Sequence, residues 1–258
     1  MSSPSLFARL GHALGKPFRR ARYRKLKAGL GTVQNKQSVF EEIYEHNLWS
    51  DLESRSGPGS TMAYTASLRA ALERVLAENG VRTFLDAPCG DFHWMRAVKT
   101  PPGMRYIGGD IVPALIADTK ARHGDDRHDF IHLDITKGPL PAVDMWMCRD
   151  CFFHLSYADI ARALQQFVRA DIPLLLLTTH IVPKAEPFAN RNINTGDARP
   201  IDLRSDPFSF PEPLERFDDW VAPFAPREMG LWTREQMLPV AERLAVQFLA
   251  AESATTAP

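Results

Sequence analysis

The sequence predicts a single α/β domain built on a doubly wound, mostly parallel sheet. Short apolar runs alternate along the chain with amphipathic segments of helical period. Four of these runs carry an acid at or just after their end, as expected at the carboxyl edge of an open parallel sheet, where ligands bind. The chain has 258 residues, 45% of them hydrophobic, which is enough for one substantial core.

The most informative segment, residues 84–95, predicts a short apolar strand, a tight turn and the start of a helix. The turn contains Asp86, Pro88, Cys89, Gly90 and Asp91. Backbone N–H groups at such a helix start face a ligand, and Gly90 lets the backbone approach that ligand closely. Units with one glycine occur in many unrelated proteins, so the prediction of a cofactor-binding turn depends on the strands that follow.

Three further apolar runs carry polar residues at their carboxyl ends. They span residues 105–111, 130–135 and 143–148. Asp110 lies 20 residues after Gly90, where a second strand presents an acid to a ribose diol. Asp134 lies in the third run, and Arg149 and Asp150 follow the fourth. These side chains should therefore meet at one sheet edge.

The segments between and after these strands predict helices and one further strand. The helices are expected over about 61–78, 112–122, 157–169 and 233–249. Ser156 is expected to cap the third helix, and Thr233 with Gln236 forms a capping box for the fourth. Residues 173–179 predict a fully buried central strand. A long proline-rich stretch, 182–226, is expected to be irregular.

The order and spacing of these segments resemble the class I S-adenosylmethionine-dependent methyltransferases over roughly residues 45–240. Phrases such as 56–60 and 149–156 further resemble a little-characterised bacterial branch. The resemblance implies a seven-stranded sheet with helices on both faces, an N-terminal helical lid and S-adenosylmethionine as cofactor. Pro88 and Phe92 stand where the family commonly has glycines.

The resemblance also implies a set of cofactor-binding residues. Asp86 to Asp91 correspond to the first motif, Asp110 with Ile111 to the ribose side, Asp134 with Ile135 to the adenine side, and Arg149 to the segment after the fourth strand. Trp49, Gly59 and Ser60 correspond to the lid, and Arg69 is expected to hold the cofactor carboxylate. Each has a structural alternative: a turn or helix cap for the acids, a linker for the lid and a solvated helix surface for Arg69.

Asp150 and His154 are the candidate catalytic residues, because they follow the fourth strand, where cofactor and acceptor should meet. An imidazole can act as a base near neutral pH. His180, at the end of the fifth strand, is a second candidate base. Packing of His154 between Phe153 and Leu155 is the structural alternative.

The expected organisation is a basic arm, one domain and a short tail. The arm spans 1–35, the methyltransferase-like domain 36–249 and the disordered tail 250–258. Within the domain, a lid is expected over about 40–80, the cofactor core over 81–180 and a substrate-side region over 181–249. Eight arginines and lysines within 1–27 precede the first acid, Glu41. The arm is interpreted as a solvated tail, a contact to anionic membranes or a cleaved targeting segment.

Composition narrows the remaining function classes. The formal net charge is zero, so nothing in the overall charge indicates nucleic acid, and no apolar run approaches the roughly 20 residues needed to span a bilayer. Three cysteines fit a reducing compartment, and a cytoplasmic location is expected. Cys89, Cys148, Cys151 and His154 offer a zinc-site alternative, although no metal is part of the main prediction.

The predicted function is therefore S-adenosylmethionine-dependent methylation, on an oxygen of a small molecule or glycan. A glycan is suggested by polar residues and aromatic side chains around the proline-rich stretch, including Asn190, Asn192, Thr195, Arg199, Phe208, Phe210 and Trp232. The alternatives are a nicotinamide-dependent oxidoreductase, which the missing G-x-G-x-x-G disfavours, and a non-catalytic cofactor- or zinc-binding module.

Overall fold

One sheet of seven strands forms the centre of the protein. The computed structural model describes residues 35–182 and 188–255, together with Ala21 and Lys25. The strands are β1 (Thr83–Asp86), β2 (Arg105–Asp110), β3 (His128–His132), β4 (Met145–Cys148), β5 (Leu174–His180), β6 (Glu215–Asp218) and β7 (Arg227–Thr233).

The strand order is β3-β2-β1-β4-β5-β7-β6. The first five strands are parallel to one another, and β7 runs antiparallel between β5 and β6. The chain changes direction across the sheet between β1 and β4, which creates the crevice where open α/β sheets bind ligands. The predicted doubly wound, mostly parallel, seven-stranded sheet is confirmed.

Five helices occur in the described residues. They are α1 (Lys36–Glu45), α2 (Ala66–Glu78), α3 (Pro113–His123), α4 (Tyr157–Arg169) and α5 (Arg234–Thr255), and short 3₁₀ turns cover Pro58–Ser60, Met95–Ala97 and Phe152–His154. Ser156 caps α4 by accepting from the N–H of Asp159. Thr233 and Gln236 exchange backbone-to-side-chain hydrogen bonds, so the predicted capping box forms.

Alternation of side chains along the strands fills two buried layers. Trp146 of β4 packs on one face with Phe167 of α4 and Trp232 of β7. Its neighbours Met145 and Met147 point to the other face, where they join the buried stripe of α2 that includes Leu72. Both faces of the sheet are therefore apolar, which explains why its central strands read as continuous hydrophobic runs.

The helix predicted directly after the first strand does not form, and this expectation is wrong. Residues 87–104, all of which are described, contain only the 3₁₀ turn Met95–Ala97. Gly90 and Phe92 have φ values of 56° and 57°, in the left-handed region that helical backbone excludes. Pro101 and Pro102 then prevent a late start. No helix N-terminus therefore faces the turn.

The two ends of the chain compare differently with the expected organisation. The described helix α5 continues to Thr255, so the expected tail 250–258 is helical through that residue. The basic arm lies outside the described residues, apart from Ala21, Lys25 and Asn35. Among the described helices, none combines the length and the apolar character that crossing a membrane requires.

Candidate active site

A cleft opens where the carboxyl ends of β1, β2 and β4 meet α1. Its volume, counted out to the open surface, is about 790 Å³. Helix α1 forms the roof by contributing Lys36, Phe40 and Tyr44, and the loop after it contributes Trp49. A second cavity of about 480 Å³ shares Trp49 and the sheet edge with the first. The predicted N-terminal helical lid is thus present over the cleft.

The turn after β1 holds the lid loop against the sheet. The carboxylate of Asp91 accepts hydrogen bonds from Ser54 Oγ at 2.9 Å and from the N–H of Arg55 at 2.8 Å, while Ser56 Oγ accepts from the N–H of Asp91 at 3.1 Å. A Cβ at Gly90 would collide with Ser56 Oγ. Asp91 is predicted to bind the cofactor, but its carboxylate accepts hydrogen bonds from the lid loop instead. It is absent from the described lining of both cavities.

Pro88, Cys89 and Gly90 remain at the cleft. Pro88 and Gly90 line both cavities, and Cys89 lines the smaller one. Burial raises the pKa of the Cys89 thiol well above its ordinary value, so it is an apolar wall atom and not a thiolate. This part of the turn presents backbone and small side chains to the cleft.

Two buried acids end the neighbouring strands β1 and β2. Asp110 accepts from the N–H groups of Gly90 at 3.2 Å and Val112 at 3.1 Å and lines both cavities. Asp86 accepts from the hydroxyl of Tyr106 at 2.8 Å and lines the smaller cavity. Burial raises the pKa of Asp110 to about 6 and that of Asp86 to about 7. Both carboxylates would gain from a cationic or hydrogen-bond-donating ligand.

The predicted adenine-side residues lie in the larger cavity, with Ile111 beside them. Asp134 follows the end of β3 and accepts from the N–H and the hydroxyl of Thr136 at 2.9 and 2.7 Å, so it closes its own turn while lining the cleft. Ile135 and Leu133 add apolar surface there. This end of the cleft suits a flat, mostly apolar group.

Arg149 and Asp150 belong to a buried four-charge cluster. Arg149 pairs with Asp219 through two hydrogen bonds, of 2.7 and 3.0 Å, and Asp150 Oδ2 accepts from Arg227 at 2.8 Å. Both arginines lie against the ring of Tyr64, at 5.9 and 5.0 Å from its centroid. The two cations and two anions balance within the cluster, which lowers the cost of burying them.

Asp150 also carries one carboxylate oxygen without a hydrogen-bond partner in the described part of the chain. It lines both cavities, and its Oδ1 is buried with no hydrogen-bond partner among the described residues. Its φ of 52° places it in the left-handed region, which a residue other than glycine adopts at a cost. A buried carboxylate oxygen without a partner is the kind of exception that a ligand explains.

The lid turn at Gly59 packs against the four-charge cluster. The carbonyl of Gly59 accepts from Arg149 at 2.8 Å, and a Cβ at Gly59 would lie 2.9 Å from Arg227 Nη2 and 3.0 Å from Asp150 Oδ2. The next residue, Ser60, is buried and lines the smaller cavity. Gly59 therefore supports the cleft by allowing close contact, and its neighbour reaches the cavity.

His154 lines the larger cavity near Trp49, with ring centroids 5.9 Å apart. Its Nδ1 lies 2.8 Å from the carbonyl oxygen of Asp197. A carbonyl can only accept, so Nδ1 carries the proton and Nε2 keeps a lone pair. Burial lowers the pKa of His154 below the ordinary 6.5. The imidazole is accordingly neutral near pH 7 and can take up a proton at Nε2.

His180, the second candidate base, is placed differently. Its Nδ1 accepts from the N–H of Ile201 at 3.2 Å, and it is absent from the described linings of both cavities. Burial, with the nearby Arg227 cation, lowers its pKa to about 4. His180 thus holds the segment around Ile201 against β5.

Arg69 does not reach the cleft. Its Nη1 donates to the carbonyl of Met62 and the hydroxyl of Thr65, both at 2.8 Å, and it is not among the described lining residues. The arginine ties α2 to the segment before it. The expected contact with a cofactor carboxylate is therefore not supported by its position.

The prediction that aromatic side chains form a platform for a glycan is wrong. Phe208, Phe210 and Trp232 are all buried in the core, and Trp232 donates its indole N–H to the carbonyl of Pro211 at 2.8 Å. The polar residues expected to face a glycan instead brace the chain: Asn192 accepts from the N–H of Tyr157, and Thr195 from that of Ser156. Side chains that the sequence predicts to contact a glycan are therefore used in packing and hydrogen bonding within the protein.

The zinc alternative receives no geometric support. Cys89, Cys148 and Cys151 are free and buried. Within residues 35–182 and 188–255, no group of three or more histidine, cysteine or acidic side chains is arranged to hold a metal ion.

Several site residues carry no local sequence signal. Asp219 and Arg227 flank the β6–β7 connection, far along the chain from Arg149 and Asp150, and only the antiparallel placement of β7 brings them to the cleft. Lys36 of α1 donates to Thr136 Oγ1 at 2.6 Å and pairs with Asp159 at 2.7 Å, which fixes the roof to the core. The spacing of residues along the sequence does not predict such contacts between distant segments.

Comparison with known proteins supports the fold directly. No family model matches the sequence, and no curated protein sequence matches it either. Similar solved structures include PigF with SAH, with a TM-score of 0.56, 15% identity and coverage of 86% of this chain and 69% of that one. Magnesium protoporphyrin IX methyltransferase from Synechocystis PCC 6803, with bound SAM, gives a TM-score of 0.53, 11% identity and coverage of 77% and 97%.

A third similar structure is the 1,6-didemethyltoxoflavin-N1-methyltransferase of Burkholderia thailandensis, bound to 1,6-didemethyltoxoflavin and S-adenosylhomocysteine. Its TM-score is 0.51, at 16% identity and coverage of 76% of this chain and 86% of that one. These likenesses show that the chain has the fold of the class I S-adenosylmethionine-dependent methyltransferases, as the sequence resemblance implies.

Proposed function

We propose that the protein is an S-adenosylmethionine-dependent methyltransferase that acts on an oxygen of a small molecule. The observation that carries this proposal is the charge of the smaller cavity. Asp86 and Asp110 line it with no ion-pair partner among the described residues, and Asp150, which pairs with Arg227, lies beside them. Arg149, the one cationic side chain in its described lining, is already paired with Asp219. Such a cavity favours a ligand with positive charge, and S-adenosylmethionine carries a sulfonium and an α-ammonium group.

The residues present fit that cofactor. Asp110 would accept from the ribose hydroxyls, and the apolar surface of Ile111 and Ile135 would face the adenine, with Asp134 at its edge. The unpartnered Oδ1 of Asp150 would accept from a donor on the bound molecules. When bound, the cofactor supplies an electrophilic methyl group. The protein then has to align a nucleophile with it and exclude water.

A nicotinamide dinucleotide fits less well. Its pyrophosphate is dianionic and binds at the N-terminus of a helix that follows the first strand. Here β1 is followed by a turn and the 3₁₀ turn Met95–Ala97. The carboxylates of Asp86 and Asp110, which have no ion-pair partner among the described residues, would also repel a dianion. The same features count against the oxidoreductase alternative.

His154 is proposed as the general base for the acceptor. Its fixed tautomer leaves Nε2 able to accept a proton, and its lowered pKa keeps it neutral at physiological pH. A hydroxyl needs such assistance more than a neutral amine does, because it is a weak nucleophile until it loses its proton. The neutral imidazole, which lines the same cavity as Asp150, therefore supports an oxygen acceptor.

The fold does not identify the acceptor. The similar structures are named for a porphyrin methyltransferase and for a toxoflavin-precursor N1-methyltransferase. With the aromatic platform buried in the core, a glycan acceptor loses its main support, so small hydroxylated molecules are proposed.

The test is release of S-adenosylhomocysteine when purified protein and S-adenosylmethionine are incubated with a panel of hydroxylated and amine-bearing small molecules. We expect turnover with a hydroxylated compound and its loss in His154→Ala. Turnover with amines alone would contradict the oxygen assignment. Binding of the cofactor without release on a broad panel would favour the non-catalytic alternative.

A further inference from the structure

Seven consecutive apolar residues form an exposed loop at the tip of the β6–β7 hairpin. They are Trp220, Val221, Ala222, Pro223, Phe224, Ala225 and Pro226. All seven are exposed, and Val221 leaves 45% of its surface in solvent. Uncharged runs of this kind on a surface mark contacts with other molecules. We call this segment the apolar loop.

The apolar loop has a defined shape. The N–H of Asp219 donates to the carbonyl of Arg227 at 3.0 Å across its base, and the N–H of Phe224 donates to the carbonyl of Val221 at 3.0 Å within it. The Phe224 ring packs edge-on against Tyr64, with centroids 5.3 Å apart. A fixed loop presents its apolar side chains without first losing conformational entropy.

The apolar loop lies on the same edge of the sheet as the cleft. Arg227 pairs with His180 at the carboxyl end of β5, so the hairpin tip projects beyond that end. The two residues that flank the loop, Asp219 and Arg227, bond Arg149 and Asp150 at the cleft. Whatever binds the loop therefore lies next to the candidate active site.

We propose that the apolar loop docks the protein on the surface of an anionic phospholipid bilayer. Tryptophan and phenylalanine are the side chains that partition best into the membrane interface, and no charge within the loop opposes insertion. The strongly basic segment 1–27 supplies the complementary charge for anionic headgroups. Stable membrane anchoring takes two such weak signals, and this chain carries one that is apolar and one that is electrostatic.

A protein partner fits the loop less well. A stable interface uses about 20–30 residues on each side, whereas the apolar stretch has seven. Its neighbour Asp218 is exposed and charged, so the apolar surface does not extend along β6. The loop has the size of a shallow membrane insertion. Docking would hold the cleft beside the bilayer, independently of which acceptor the enzyme uses.

The experiment is co-sedimentation of the full-length protein with vesicles of phosphatidylcholine and phosphatidylglycerol, and with phosphatidylcholine alone, over a series of salt concentrations. The test variant is the double substitution Trp220→Ser with Phe224→Ser. The matched control is Leu214→Ser, because Leu214 is 59% exposed at the opposite end of β6. Cooperative thermal unfolding and the circular dichroism spectrum, which do not depend on cofactor binding, report correct folding of all three proteins.

We expect wild-type and Leu214→Ser proteins to bind the anionic vesicles equally and the double variant to bind at least about tenfold more weakly, as loss of two buried aromatic side chains implies. Salt should weaken all binding by screening the basic segment, and the gap between variants should persist at high salt. Equal vesicle binding by the double variant would overturn the proposal. So would a change from oligomer to monomer in sedimentation without any change in vesicle binding, since the loop would then contact a second copy.

Discussion

His154 Nδ1 lies 2.8 Å from the carbonyl oxygen of Asp197, so the candidate base is held by a segment more than 40 residues further along the chain. The same segment holds the turn around His154: the N–H of Gly196 donates to the carbonyl of His154 at 2.7 Å, and that of Arg199 to the carbonyl of Phe153 at 3.2 Å. The orientation of His154 is therefore built into the backbone, and the imidazole needs no carboxylate partner to define its tautomer.

Replacing His154 with alanine should reduce turnover by about 10²–10⁴-fold, the usual contribution of a positioned general base. Cofactor affinity should change little. Because the base acts in its neutral form and burial lowers its pKa, wild-type kcat/KM should be flat above the ordinary pKa of 6.5 and fall on the acid side of it. The measurement is a pH–rate profile for both proteins. A variant with near wild-type turnover and an unchanged profile would leave only alignment to explain the reaction.

Asp86→Asn should stabilise the protein without cofactor at alkaline pH. Burial raises the pKa of Asp86 from 3.8 to about 7, so its stabilising contribution is complete below the unfolded value and is lost as pH rises through 7. Asparagine removes the buried charge and can still accept from the Tyr106 hydroxyl. Thermal unfolding without ligand should show a gain in Tm for the variant at about pH 8 that is clearly larger than the gain at about pH 5, where the folded carboxyl is still protonated. A variant less stable than wild type at both values would mean that the carboxylate is not penalised by burial.

Gly59→Ala should destabilise the lid and weaken the cofactor. The new Cβ would lie 2.9 Å from Arg227 Nη2, whose position is fixed by Asp150. Overpacking of this kind costs about 1–3 kcal/mol. The measurements are Tm and the dissociation constant for S-adenosylmethionine. Ala63→Ser, an exposed change in the same segment, is the control and should alter neither value. Wild-type behaviour of Gly59→Ala would show that the Arg227–Asp150 pair can move aside.

The strand edge was the part of the site that sequence could predict. Asp86, Asp110 and Asp150 end or follow apolar runs, and parallel strands bring such ends together whatever the details of packing. The turn between β1 and β2 could not be predicted in the same way. Its backbone is set by positive φ values at Gly90 and Phe92, and a phenylalanine in that conformation gives no local signal.

The other differences between the predicted and the observed site come from tertiary contacts. Asp219 and Arg227 enter the site through an antiparallel hairpin, and their spacing resembles that of ordinary surface charges. Phe208 and Trp232 are predicted to face a ligand, but a hydrophobic pattern does not say which side of a sheet a distant segment will cover. Arg69 lies on the predicted helix, one turn away from its partner Thr65, and its hydrogen bonds to that segment hold it outside the described lining of the cleft.

Calorimetry of the purified protein with S-adenosylmethionine and, separately, with NAD tests the central claim most directly. We predict binding of S-adenosylmethionine and no measurable binding of NAD. Asp110→Ala should weaken S-adenosylmethionine by about 1.5–3 kcal/mol, the range for hydrogen bonds to a charged group. Tight binding of NAD with no heat from S-adenosylmethionine would contradict the account.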